Sequence, residues 1–346
     1  MPNRTTREPL ISVVMPVFNA GGYLVDAVAS IVEQSLDDWE MICVNDGSTD
    51  DSGKLLDWFA HQDDRIRVVH QANAGIVSAL NRGCELAQAP LIARMDSDDI
   101  AIPDRFENQL SFLRRAPNCV AVGGAILEID TDGDPLNFSR LPDDHSSIVN
   151  NLLTRQTGLF HPTVMMRTES FRATGGYRGQ YQWIEDHDLW LRLAQRGQLA
   201  NLPDALLCYR QHPKSVCWQR SQQQRELMNS LLQEAYARRN LELPAQLLVT
   251  TQVTRSPAGP GKWARAAAKG GYPRSALKHL KHLYHSSSSK SYFARMTAES
   301  ILRLMTAYPR RLISTANPGV PNFRTWHVRA AEDLKLTLAP QLHEAA

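Results

Sequence analysis

Leu91-Ile92-Ala93-Arg94-Met95-Asp96-Ser97-Asp98-Asp99-Ile100 passes from apolar to acidic in a single step. Leu91 to Met95 reads as a buried strand, and three carboxylates then follow within four residues. Working back from it, Leu10 to Val17, Glu40 to Val44 and Ile66 to Val69 are further short apolar runs rich in β-branched residues. Runs of that kind suit strands of a parallel sheet covered on both faces. Between them apolar residues recur at helical spacing: Leu24, Ala27, Val28 and Ile31, then Leu55, Leu56 and Phe59, then Ile76, Ala79, Leu80 and Gly83, with Leu86 extending the last. The order β-α-β-α-β-α-β predicts an α/β fold with a doubly wound, mostly parallel sheet flanked by helices and joined by right-handed crossovers. In such sheets ligands bind outside the carboxyl ends of the strands. The polar groups just after the four strands are Asn19, Asp46, Gln71 with Asn73, and Asp96 to Asp99, so four strand ends aim polar side chains at one crevice.

Downstream, Pro103 opens an amphipathic helix over Asp104 to Arg115. Cys119 to Ile129 reads as a strand, Thr131-Asp132-Gly133-Asp134 as a hairpin-like turn, Thr163 to Met166 as another apolar run, and Glu185 to Arg196 as a helix. Leu206 to Gln211 is expected to close the core. From Ser221 the character changes to polar and helical, and Ser256 to Gly261 carries a linker signal. The expected division is a short disordered tail (1–9), one large α/β unit (10–220) and a basic helical C-terminal appendage (221–346).

Composition narrows the classes. A formal charge of +2 names no nucleic-acid partner. The five cysteines (Cys43, Cys84, Cys119, Cys208, Cys217) are scattered and form no C-x-x-C pair, which argues against a disulfide framework or structural zinc and for a cytoplasmic setting. Met1 to Pro9 lacks the apolar core of a secretory signal, and no stretch reaches the roughly 18–20 apolar residues of a membrane helix. A membrane-borne substrate would be met at the surface.

Three like charges in four residues repel unless a cation shares them, and hard oxygen ligands suit Mg²⁺ or Mn²⁺. Such an ion stabilises a diphosphate as it leaves. Asp96, Asp98 and Asp99 are the candidate metal ligands; the plainer reading of the run is a solvated acidic turn. A carboxylate at Asp46 can accept the imide N–H of a uracil or thymine ring, although Asp46 or Ser48 would equally serve as a helix N-cap. Asp186, at the start of an apolar helix, is positioned to take a proton from a hydroxyl nucleophile, while Glu185, Asp186 and Asp188 also read as ordinary first-turn acids.

Pro16-Val17-Phe18-Asn19, Asn45-Asp46-Gly47-Ser48-Thr49-Asp50, Asn73-Ala74-Gly75, Asp96-Ser97-Asp98-Asp99 and Glu185-Asp186-His187-Asp188-Leu189-Trp190-Leu191-Arg192 occur in that order. Together they resemble the inverting, bacterial-type family 2 glycosyltransferases with the GT-A fold, over about Ile11 to Cys217. The resemblance implies transfer from a nucleotide-sugar, UDP-linked or otherwise dTDP- or GDP-linked, to a saccharide or lipid-linked glycan of a surface polysaccharide. It implies that Pro16, Val17, Phe18, Asn19, Asn73 and Gly75 line the nucleotide. Asp46 would contact the base, Asp96 and Asp98 would hold metal and ribose-phosphate, and Asp186 would be the catalytic base beside Glu185. His161-Pro162 and Gly175-Gly176-Tyr177 resemble acceptor-side loops. Tyr209 to Ser215 resembles a closing segment in which an Arg or His, with His212 preferred over Arg210, and Ser215 reach the diphosphate.

Two positions depart from the pattern. Asn45 stands where an Asp is frequent, and Leu80 where an Arg is frequent, which leaves phosphate neutralisation to Arg82 or Arg94. The basic C-terminal region suits a peripheral contact with anionic lipid at the inner membrane, or else a solvated helical appendage. Two other enzyme classes are disfavoured: a nucleotidyltransferase wants a basic Gly-rich loop after the first strand, and a dehydrogenase wants G-x-G-x-x-G there. A catalytically silent glycan-binding module would be favoured if Asp96 or Asp186 were missing; both are present.

Overall fold

A computed structural model describes residues 8–213, 221–248, 259–287 and 289–314. The expected tail up to residue 7, Ser215, Cys217 and the start of the linker at Ser256 lie outside the described residues.

The first half alternates as the sequence predicts: β1 (Ile11–Val17), α1 (Tyr23–Val32), β2 (Trp39–Asp46), α2 (Ser52–Gln62), β3 (Ile66–Gln71), α3 (Ile76–Leu86) and β4 (Leu91–Arg94). These strands lie parallel in the order β3-β2-β1-β4, so the winding reverses at β1. That reversal opens a crevice between the ends of β1 and β4, where Met95 N donates to Val14 O at 3.1 Å.

The second half is α/β of a different kind. It comprises β5 (Ile100–Ala101), α4 (Arg105–Arg115), β6 (Cys119–Ile129), β7 (Pro135–Ser139), α5 (His145–Leu153), β8 (Met165–Arg167), α6 (Thr168–Thr174), α7 (Glu185–Leu193) and β9 (Gln198–Arg210). The sheet continues as β4-β8-β6-β9-β5, with β7 on β6. Strand β8 is antiparallel to both neighbours, and β5 is antiparallel to β9. Strand β9 begins well before Leu206 because its first part pairs with Cys119 to Gly124 across register shifts.

Alternate residues of the parallel strands feed two cores. Ile11, Val13, Met15, Met41, Cys43, Leu91 and Ala93 pack with α1, α2 and α4. Val14, Ile42, Val44 and Ile92 pack with α3, α5, α6 and α7. Helix α8 (Ser221–Ala237) joins this second core through Leu231 and Ala235.

Three further helices follow: α9 (Pro260–Lys269), α10 (Pro273–Ser286) and α11 (Lys290–Ser314). Ala264, Leu280, Leu283 and Met296 form their own small core. Ala267, Ala268, Tyr272 and Ala276 seal it onto Leu127, Ile129, Leu136 and Cys208 of the sheet. No helix among the described residues is long and apolar enough to cross a membrane.

Candidate active site

Just after β1 come Phe18, half exposed, and Asn19, whose φ of 50° turns the chain. Asn19 Oδ1 accepts from Thr49 N at 2.8 Å, and Asn19 N donates to Ser48 Oγ at 3.0 Å. Ala20 N and Gly21 N donate to Ser52 Oγ and Asp50 Oδ2. The hydroxyl-rich turn after β2 thus clasps the turn after β1. Pro16 and Val17 are buried behind it, in register with Val44 and Asn45.

Asp46, 4% exposed, does not cap α2, whose N-cap is Asp51. Its Oδ1 accepts from Gln71 Nε2 at 2.7 Å and Ala74 N at 2.8 Å, and its Oδ2 from Gly75 N at 2.8 Å. About one of the four lone-pair positions of the carboxylate is left open. Asp46 therefore fastens the loop carrying Asn73 and Gly75 to the end of β2. Gly75 is required there: its φ is 86°, and a Cβ would meet Gln182 Nε2 at 2.9 Å. Asn45 accepts from Ser48 N and bonds His70 Nδ1 at 2.9 Å, while His70 Nε2 faces Asp57 at 2.9 Å. An amide suits that position because it offers a donor to His70 and an acceptor to Ser48 at once.

The acidic run stands over buried cations. Arg94, 5% exposed, pairs with Asp96, whereas Arg82 makes only an exposed pair with Glu85 at 3.7 Å. Beneath it, fully buried Arg105 donates to Arg94 O at 2.7 Å and to Gln109; burial and then Arg94 push its guanidinium down to about 9. Asp99, 1% exposed, accepts from Arg210 N at 2.8 Å, while its Oδ2 is buried without a partner. Burial, reinforced by Asp98 and Asp96, raises the Asp99 carboxyl well above the usual range. Burial also raises Asp96, against the pull of Arg94. One oxygen each from Asp96, Asp98 and Asp99 lies within 4.8 Å of the others. An octahedral Mg²⁺ or Mn²⁺ with oxygens at about 2.1 Å spans such a set, and the orphaned Asp99 Oδ2 supplies a dry ligand. The donor set therefore fits the ion.

His212 comes to the same place from the end of β9: its Nε2 lies 2.8 Å from Asp98 Oδ2, and its ring centroid 5.5 Å from that of Tyr23. Arg210, the alternative to His212 in the closing segment, has the more central position. Its Nε donates to Asp98 O at 2.9 Å, its Nη2 pairs with Asp26 at 3.2 Å, and its guanidinium lies over the Tyr23 ring at 4.7 Å. A basic residue closing the apolar stretch Leu206 to Tyr209 was the available signal; Tyr23 and Asp26, on α1, had none.

Across the crevice, α7 presents Glu185 and Asp186. Glu185 is buried, with an orphaned Oε2, and burial together with Asp186 raises its carboxyl to about 7. Asp186 is partly exposed, accepts from His187 N at 2.7 Å, and is raised by burial. Its charge is felt at Asp96, so the two acids share one field. Asp188 behaves differently. It is fully buried and paired with Arg178 and with Arg192 at 2.6 Å, so it fixes the helix rather than facing a ligand. His161 bonds the Tyr177 hydroxyl at 2.9 Å and packs against Trp190; burial holds its imidazole well below the usual range, hence neutral. Tyr177 is clamped by Asn81 through both backbone groups. Asp186 is thus partly buried and close enough to the Asp96-Asp98-Asp99 cluster for its charge to reach Asp96.

Residues 12–175 match the family model "Glycosyl transferase family 2". The amylovoran biosynthesis glycosyltransferase AmsE of Erwinia amylovora is 33% identical over 186 residues, 53% of this chain and 69% of that protein. The O-antigen biosynthesis glycosyltransferase WbnJ of Escherichia coli is 30% identical over 211 residues, 60% of this chain and 82% of that protein. Among solved structures, the Pyrobaculum calidifontis mannosyltransferase in complex with GDP-Man and Mn²⁺ aligns with a TM-score of 0.49 at 16% identity, covering 96% of this chain and 88% of that one.

Proposed function

Because the chain belongs to glycosyl transferase family 2, we propose that it moves a sugar with inversion from a nucleotide-sugar, in the first instance a UDP-sugar, to a saccharide or lipid-linked glycan of a surface polysaccharide. The observation that carries this reading is the cluster of Asp96, Asp98 and Asp99 just beyond the end of β4, with Asp186 near enough for its charge to act on Asp96. On this reading Pro16 to Asn19, Asn73 and Gly75 line the nucleotide, with Asp46 bracing their loops and meeting the base. Asp96, Asp98 and Asp99 hold Mn²⁺ or Mg²⁺. When bound, that ion supplies positive charge to the departing diphosphate.

The chain's own residues do the rest. Asp186, its carboxyl raised by burial, takes the proton of the acceptor hydroxyl as that oxygen attacks the anomeric carbon. Glu185 keeps the crevice behind it from carrying a second full charge below about pH 7. Arg94 neutralises Asp96, and His212, beside Asp98, faces the leaving diphosphate. His161 and Tyr177 form the acceptor-side wall.

In this reading residues 10–220 are the catalytic unit and residues 221–346 dock it peripherally at the cytoplasmic face of the membrane. Leu277, Tyr284, Ile301 and Met305 are exposed on α10 and α11, and residues 259–314 carry eleven Lys and Arg against one acid, Glu299. Apolar side chains among basic ones suit anionic lipid. Sedimentation with phosphatidylglycerol vesicles, but not with phosphatidylcholine vesicles, is the expected result.

The donor site is tested by screening nucleotide-sugars with Mn²⁺ for protection against thermal unfolding. Asp98→Ala is expected to abolish metal-dependent nucleotide binding, and Asp186→Asn to keep binding while losing transfer. If no nucleoside diphosphate bound in the presence of metal, the donor-site assignment would fall.

A further inference from the structure

The turn between β6 and β7 meets α10 in a charge cluster that the transfer chemistry leaves unused. Lys278 Nζ lies 2.7 Å from Asp130 Oδ2, 2.7 Å from Asp132 Oδ2 and 2.8 Å from Asp134 Oδ2. His279, 2% exposed, places Nε2 2.8 Å from the same Asp130 oxygen. Asp130 is fully buried, and its other oxygen accepts from the backbone N–H of Asp132 and Asp134 at 2.9 Å. Burial alone would raise the Asp130 carboxyl; the hydrogen bonds from His279 and Lys278 outweigh it and hold the group at about 2. One ammonium thus bridges three carboxylates inside a five-residue turn and offsets part of their mutual repulsion.

That turn also touches the site. Thr131 O accepts from Arg210 Nη1 at 3.1 Å. Arg210 spends its other donors on Asp98 O, Asp26 and, through its backbone N–H, Asp99 Oδ1. A continuous path therefore runs from α10, through the turn and Arg210, to the Asp99 carboxylate and to the backbone carbonyl of Asp98, within the set that fits the metal. Apolar packing of Ala267, Ala268 and Tyr272 already seats the helices on the sheet. The pair with buried Asp130 loses most of its Coulomb attraction to desolvation, and the pairs with the more exposed Asp132 and Asp134 are weakened by solvent, so the cluster is not a favoured way to gain stability. What the cluster adds is a fixed position for Thr131 O.

We propose that Lys278 and His279 are positioning residues for the Asp98–Asp99 metal site, acting through the β6–β7 turn and Arg210, so that the C-terminal helices complete the donor site of the same chain. This role rests on reading the acidic run as that site. Without Lys278 the three carboxylates repel, the turn opens, Thr131 O leaves Arg210, and the Arg210 N–H loosens its hold on Asp99.

The test reads the Arg210 amide directly, by hydrogen exchange in metal-free buffer, and then Mn²⁺ affinity by titration with the ion alone. In Lys278→Met the Arg210 amide is expected to exchange at least about tenfold faster, and Mn²⁺ to bind about 10-fold more weakly or worse, as for other groups that support metal ligands. Lys278→Arg restores both. Asp132→Asn, which removes only the most exposed of the three acids, moves both in the same direction by less and serves if Lys278→Met does not fold. Glu299→Gln, which loosens α9 and α11 through Arg265 and Arg295 but not the turn, leaves both unchanged. Faster exchange confined to residues 259–314, with the Arg210 amide and Mn²⁺ affinity unmoved in Lys278→Met, overturns the proposal. A failure of the parent protein to bind Mn²⁺ would overturn the metal-site reading instead, and the amide measurement tells the two apart.

Discussion

Glu185→Gln isolates the electrostatics of the crevice. Glu185 is 7% exposed with an orphaned Oε2, and burial, then Asp186, raises its carboxyl from 4.5 to about 7. The folded chain therefore keeps a proton over a range in which the unfolded chain has lost it. The stability linked to that proton is complete below the unfolded pKa of about 4.5 and is lost as pH rises to about 7, after which it is flat. A gap of about 2.5 units at about 1.4 kcal/mol per unit gives roughly 3 kcal/mol across the whole window, and about 2–3 kcal/mol between pH 5 and 8. Glutamine resembles the protonated acid at every pH. His161 and His187, both held low by burial, make stability rise with pH instead, and subtracting one protein from the other removes them. Urea unfolding in metal-free buffer should show Glu185→Gln gaining about 2–3 kcal/mol over the parent from pH 5 to pH 8. A difference that stayed level with pH, or shrank as pH rose, would refute the assignment of a buried, protonated Glu185.

Three other perturbations have definite outcomes. Asp188→Ala strands two guanidiniums against a fully buried position and should cost about 3–5 kcal/mol in denaturant unfolding, with Arg192→Ala not adding its full cost on top. Arg94→Met removes the buried cation beneath the acidic run; the metal-free protein should lose a similar amount, about 3–5 kcal/mol, and Mn²⁺ should raise the melting temperature of the variant more than that of the parent. Gly83→Ala places a Cβ 2.5 Å from Val14 Cγ1, where α3 crosses β1, and should destabilise by about 1–3 kcal/mol, with Val14→Ala in the same chain recovering part of the loss.

The parallel half of the fold was legible because strands buried on both faces must be apolar throughout, and Ile11–Val17 is. Its strand ends could be located for the same reason: polarity begins where the sheet stops. The second half resisted because its order is set by partners distant in sequence. Two residues, Ile100 and Ala101, form a strand only because Cys208 and Leu207 stand opposite. The short β8 is a strand because it bridges β4 and β6. The acidic run was visible as chemistry, but its setting was not. Arg210 reaches Asp26 across 184 positions and Lys278 reaches Asp130 across 148, and no local pattern encodes either. Asp46 shows the limit of motif reading in another way: its place after β2 suits a base contact or a helix cap, yet its carboxylate is spent largely on the next loop.

The division of β1 between two cores has a consequence for how such a chain can diverge. Odd-numbered positions of β1 pack with α1, α2 and α4, while Val14 faces the layer that holds α7 and Asp186. Contacts on opposite faces of a sheet share few partners, and changes made in one then combine nearly additively with changes in the other. The layer that holds α7 can therefore be repacked while the layer beneath α1 and α2 changes on its own, with the sheet acting as a firewall between them.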